Sequence, residues 1–188
     1  MRPAMASQSC VSNLRDRLTR LAGDERGVSA VEFALLLPVM LTLYLGGVEV
    51  SQAVAVDRKV TLTARSVADL VAQATSVNTT DMTNILNAAT AVTAPYPSAN
   101  LKVTVSQVKI DAQGNAKIEW SDAKNTTARA VNQVVTVPTA LKIPNTWLIW
   151  GEVQYNYKPT IGYVITGTLS LKDQIYMRPR LSDSVNRT

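Results

Sequence analysis

The chain has no histidine, and its one cysteine is Cys10. Without histidine it lacks the commonest general base, the Ser-His and Cys-His nucleophile pairs, and the commonest metal ligand. A single cysteine excludes an intrachain disulfide. Beyond residue 10 a zinc or iron site would have to be built from carboxylates alone. Those carboxylates are sparse. After residue 91 they are Asp111, Glu119, Asp122, Glu152 and Asp173, with Asp183 near the end. None are paired at the spacing of an acid–base dyad or a metal loop, and Asp111 reads as a turn former. The chain is therefore expected to be no enzyme and to hold no metal and no cofactor. Basic residues exceed acidic ones by 19 to 14, a net charge of +5. They form no stripe with interleaved aromatics, so no nucleic acid is expected as a partner. Internal repeats and low-complexity segments are also missing.

One long apolar run is present. From Val28 to Val48 there are 21 residues and a single charge, Glu32. As a helix this run rises about 31 Å, which matches a hydrocarbon core of about 30 Å. It is read as a transmembrane helix over 28–48. Five arginines precede it, Arg2, Arg15, Arg17, Arg20 and Arg26. By the positive-inside rule they place residues 1–27 in the cytoplasm and the C-terminal mass across the membrane. Arg2 to Ser9 hold no apolar run, which argues against a lipoprotein role for Cys10. Glu32 is costly at membrane depth, by about 2.5 kcal/mol or more, and demands a partner. None lies in Phe33–Val48. Pro38 removes a backbone hydrogen bond and is expected to kink or loosen the helix. Gly46-Gly47 offers a flat face for close helix contact.

The flank of this run carries a specific pattern. Gly27 precedes it, and Glu32 is the fifth residue after that glycine. The order is basic leader, Gly27, Val28-Ser29-Ala30-Val31, Glu32-Phe33-Ala34, a leucine stretch and Pro38. This string resembles the TadE/TadG family of the tight-adherence (Tad) pilus, and its start resembles the processing site of type IV prepilins. The resemblance implies cleavage after Gly27 by a prepilin peptidase, which leaves Val28 with a free amine. It further implies that Glu32 of one subunit pairs with the Val28 amine of its neighbour, since both charges would otherwise be buried unpaired. A bland alternative has Glu32 near the cytoplasmic interface, reaching water. The implied protein is a minor pilin or pseudopilin, involved in pilus assembly and adhesion. Its implied partners are other pilin or pseudopilin subunits, the Tad assembly platform and membrane lipid. Its implied place is the bacterial inner membrane, single-pass, with the head periplasmic or carried into an extracellular pilus. The likeness is dense over 26–50 and says little past about Gln73.

A rival reading makes the chain a permanently anchored or secreted periplasmic binding or enzymatic domain, with 28–50 as a signal anchor. Ala53-Val54-Ala55 fits a signal-peptidase site, but Glu32, Glu49 and Gln52 are poor signal-peptide features.

The rest of the chain reads as α+β. From Val50 to Ala74 no Pro or Gly occurs. Apolar Val50, Val54, Leu62, Val67, Leu70, Val71 and Ala74 recur near a helical period. This predicts an amphipathic stalk helix over 49–75, continuous with the span. A second helix is expected over 80–91, capped by Thr79 or Thr80. Alternation predicts a strand over 101–110 with a bulge near Gln107, a turn at 111–115 and a returning strand over 116–121. The mixed stretch 122–146 suggests a helix at 127–134. The strongest strand is 147–157, ended by Pro159. An apolar connection over 161–169 leads to a last strand over 170–178. The polar tail 181–188 is expected to fray. Alternation buries one face of Trp147, Trp150, Tyr155 and Tyr157, and any remainder is a candidate adhesive surface. Asn78-Thr79-Thr80 and Asn125-Thr126-Thr127 match the glycosylation triplet but are discounted as chance. The expected architecture is a single-pass protein whose long N-terminal helix packs on a small antiparallel sheet in the 76–188 head, pilin-like by resemblance.

Overall fold

A computed structural model describes residues 26–188 of the chain. The leader expected at 1–27 lies outside these residues up to residue 25, and Cys10 with it. Helix α1 runs over Arg26–Ala72 without interruption. Strand β1 (Ser76–Val77), helix α2 (Thr79–Thr93), β2 (Leu101–Ile110), β3 (Ala116–Lys124), β4 (Val134–Val135), β5 (Thr146–Tyr157), β6 (Leu169–Met177) and β7 (Asn186–Arg187) follow. The strands form a five-stranded antiparallel sheet in the order β4-β3-β2-β5-β6 and a parallel pair, β1-β7. This is the α+β arrangement expected, a long N-terminal helix packed on a small antiparallel sheet. The chain divides into two compact units between Gly47 and Val48.

In the first unit, the helical residues from Val28 to Tyr44 are exposed throughout, among them Val31, Phe33, Leu35, Leu36 and Leu43. By length and composition, helix α1 is long and apolar enough to cross a membrane.

In the second unit, α1 buries Val56, Val60, Ala64, Val67, Ala68, Val71 and Ala72 against Val103, Val105, Ile149, Val153 and Tyr155 of the sheet. The buried stripe differs from the one expected. Val67 and Val71 lie on it and Ala74 packs at its margin, whereas Val50, Val54, Leu62 and Leu70 are exposed. The face is chosen by closeness of approach, which favours small residues. Gly151 of β5 lies so near the helix that a Cβ there would stand 3.0 Å from the Ala64 carbonyl oxygen and 3.0 Å from Ala68 Cβ. Leucine at either helix position would hold the helix off.

The bulge expected near Gln107 is present, as a register shift between Gln107 and Val108. It explains how β2 serves two cores. Leu101, Val103 and Val105 face α1, whereas Val108 and Ile110 join Ile118, Leu148 and Trp150 in a second core under Val137 and Leu141. Trp150 and Tyr176 stack at 5.3 Å there, while Tyr155 and Tyr157 belong to the first core and Trp147 is half-buried.

Three local expectations are corrected. Asn78, not Thr79 or Thr80, caps α2. Its side chain accepts the Asp81 N–H at 2.9 Å, and the Asp81 carboxylate accepts the Asn78 N–H at 3.1 Å, a reciprocal capping box. No helix forms at 127–134. Asn132 donates its N–H to the Ile118 carbonyl, Ile118 donates to the Gln133 carbonyl, and β4 then joins the sheet. Pairing with β3 overrides a weak helical pattern. The tail is not frayed. Val185 is fully buried, its carbonyl accepts the Trp120 indole N–H at 2.8 Å, and its N–H donates to Gln107 Oε1 at 2.7 Å. Arg187 then bridges Asp122 with contacts of 2.8 and 3.2 Å.

Candidate functional site

The residues singled out for processing and assembly all lie in the first unit. Gly27 is the second residue of α1, and a Cβ built there meets no atom within 4 Å. Nothing among the described residues requires glycine at this position. Val28 follows it, 55% exposed. Glu32 is exposed and makes no ion pair with any described residue. Pro38 lies inside α1, which continues through it, and its carbonyl accepts the Thr42 hydroxyl at 2.8 Å. That contact adds a side-chain donor to the turn after the proline; the carbonyl that the ring deprives of its backbone donor is that of Ala34, four residues earlier.

A second charged residue follows the apolar run directly, and sequence reasoning missed its role. Glu49 is 1% exposed. Its carboxylate accepts three backbone N–H groups from the loop after β5: Tyr163 at 2.6 Å, Val164 at 3.0 Å and Ile165 at 2.7 Å. Gly162, at φ +67°, supplies the left-handed turn from which these successive amides converge on one point, a backbone arrangement suited to an anion. The N–H of Ile165 foremost, then those of Tyr163, Val164 and Gly162, hold the Glu49 carboxyl below its ordinary range despite the cost of burial. Three residues on, Gln52 accepts the Tyr157 hydroxyl at 3.3 Å. The signal for Glu49 was its spacing. Positions 49, 53, 56 and 60 fall on one helical face, and Ala53, Val56 and Val60 all contact the core. A carboxylate on that face needed donors.

The outer face of the sheet carries a polar groove of about 750 Å³ floored by β2, β5 and β6, with Lys102, Thr104, Glu152, Gln154 and Lys172 along it. Arg129 closes one side. Its guanidinium lies 4.1 Å over the Trp150 ring and makes a bidentate pair with Glu152 at 2.7 and 2.8 Å. That pair raises the Arg129 pKa further, and each charge is matched by the other. Among the described residues no three His, Cys, Asp or Glu side chains gather to hold a metal ion.

Fold and site together define a class of protein: an α+β head carried on an N-terminal helix that contains a membrane-length apolar segment. Within α1, residues 27–69 match the family model described as TadE-like protein. The matched stretch covers Gly27, Glu32, Pro38 and Glu49, and stops before α2 and the sheet. No curated protein and no solved structure matches the chain.

Proposed function

We propose that this chain is a structural subunit, a minor pilin or pseudopilin, of a Tad-type pilus, and not an enzyme. It is held in the inner membrane by residues 28–48, with its head on the periplasmic side, and is processed after Gly27 before or during assembly. The observation that carries this reading is the TadE-like match over 27–69, which begins at Gly27 and contains Glu32. Glu32, exposed and without an ion pair among the described residues, supports an assembly role. A carboxylate among apolar helices keeps its charge when hydrogen-bond donors or a cation join it, and the Val28 amine of a neighbouring subunit is that cation. The partners on this reading are a prepilin peptidase, other pilin subunits, the assembly platform and membrane lipid.

The test is the intact mass of the membrane-extracted protein, made with its cognate prepilin peptidase. Loss of residues 1–27 is expected. Loss of 1–55 would favour a secreted domain, and an uncut chain would favour a permanent single-pass anchor. Gly27→Val is expected to leave the uncut precursor and to keep it out of sheared filaments. Because a Cβ at 27 touches nothing among the described residues, a block in this variant reports on the peptidase and not on misfolding.

A further inference from the structure

The loop 158–168 exposes apolar side chains while three of its backbone N–H groups are satisfied from beneath. Ile161, Tyr163 and Val164 are 48, 58 and 49% exposed. The N–H groups of residues 163–165 all point at Glu49. Free amides make a loop costly near hydrocarbon, because lipid offers no acceptor. Here the acceptor is built in. The same contact solves the converse problem: a carboxylate placed directly after a 21-residue apolar run is wrapped in donors and covered.

The loop's place in the second unit is fixed at both ends. It connects Tyr157 of β5 to Leu169 of β6, which pair with each other, and Tyr157 reaches Gln52. The turn at 111–115 lies at the opposite end of the sheet, since Leu101 pairs with Tyr155 and Ile110 with Thr146. Over ten residues of β2 that separation is about 30 Å. The loop therefore lies where α1 emerges from its apolar run, and the 111–115 turn lies far from it.

We propose that loop 158–168 docks on the bilayer surface, with Ile161 and Val164 entering the edge of the hydrocarbon and Tyr163 at headgroup level. Tyrosine suits that level because its ring is apolar and its hydroxyl seeks water. The occupant is lipid and not a protein groove because the loop is tied to Glu49, the first residue in sequence beyond the apolar run. The head is thereby seated on the membrane by a second contact besides its helix. This inference rests on the membrane-anchored part of the proposed function.

The test uses the full chain in phosphatidylcholine vesicles. Cys10, the one cysteine, is replaced by serine, and single cysteines at Ile161, Val164, Leu36 or Gln113 carry an environment-sensitive fluorophore. Lipids spin-labelled at shallow or deep acyl positions act as quenchers. Labels at 161 and 164 are expected to shift to the blue and to lose emission, most with the shallow quencher. The label at 36 is expected to lose emission most with the deep one, and the label at 113 to lose none. Quenching at 36 without quenching at 161 or 164 overturns the loop inference and leaves the anchoring intact. Absence of quenching at 36 overturns the anchoring reading itself. Two loop positions are used so that one poorly folded variant, detected by its near-ultraviolet circular dichroism, does not decide the result.

Discussion

Replacing Gly151 by alanine should loosen the seat of α1 on the sheet. The added Cβ would stand 3.0 Å from the Ala64 carbonyl oxygen, 3.0 Å from Ala68 Cβ and 3.6 Å from Ile175 Cγ2. Carbon–carbon contacts settle at about 3.5–4.0 Å, so helix and strand must part by a few tenths of an ångström. Ala64 and Ala68 are buried at 1 and 0% exposure, and one of the two close atoms belongs to the backbone, which no rotamer change can move aside. Overpacking of this kind costs about 1–3 kcal/mol. The opposing gain from a less flexible unfolded chain is about 0.4–1 kcal/mol. A net loss of about 1–2 kcal/mol remains, equivalent to roughly 2–8 °C in Tm for a domain of this size. Thermal unfolding of the detergent-solubilised protein, followed by near-ultraviolet circular dichroism, reads it directly. The cause is separated from a general defect by Ala68→Gly. Alone it should cost about 1 kcal/mol in helix propensity. In its background Gly151→Ala should cost less, because one of the two closest contacts is gone. An unchanged or raised Tm in Gly151→Ala, or strictly additive losses in the double variant, would refute the close packing on which the fold rests.

Glu49→Gln should release loop 158–168 and leave the sheet intact, seen as faster amide exchange confined to residues 163–165. Because the Glu49 carboxyl is held below its ordinary 4.5, its contribution is complete above that pH and fades as the pH falls through the lower folded value. The 163–165 amide resonances of the wild-type head should therefore hold steady from pH 7 to about 5 and move only in more acidic solution; movement centred above 5 would exclude Glu49 as their acceptor. Deletion of residues 181–188 should cost about 3–5 kcal/mol in denaturant unfolding. Lost burial of Val185 accounts for about 1.5–3 kcal/mol, and stranding the Trp120 indole N–H and the Gln107 side chain for the remainder. A frayed tail, as its composition alone suggested, would cost nothing.

What was legible in the sequence was local or periodic. The apolar run, the strict alternation of Leu101, Val103 and Val105, the parity change that betrays the bulge at Gln107, and the turn before Ala116 each depend on neighbours within a few residues. The remainder depended on distant partners. The buried stripe of α1 was misplaced because apolar residues occur all round that helix, and the choice among faces is made by Gly151, some eighty positions away. The tail looked polar because its one essential apolar residue, Val185, is isolated in sequence, and its acceptors and donors, Gln107, Trp120 and Asp122, lie on two other strands. The segment 127–134 has a weak helical pattern that backbone pairing with Ile118 overrides.

The two glutamates of this region, Glu32 inside the apolar run and Glu49 directly after it, show the same distinction in its sharpest form. Both look anomalous by composition, since each places a carboxylate at or inside a membrane-length segment. Glu49 is resolved within the chain: three amides from one loop hold its charge, and burial then costs little because the charged form is the one solvated by the protein. Glu32 has no such arrangement among the described residues, and its helix offers no cation from Phe33 to Val48. The same electrostatic demand is met internally in one place and left open in the other. An open demand at membrane depth is met by protonation, by reaching the interface or by a second molecule. If the second molecule is the answer, Glu32→Gln should leave the Tm of the head unchanged while reducing incorporation into filaments, and Glu49→Gln should do the reverse, disturbing the loop while sparing the recognition of one subunit by the next.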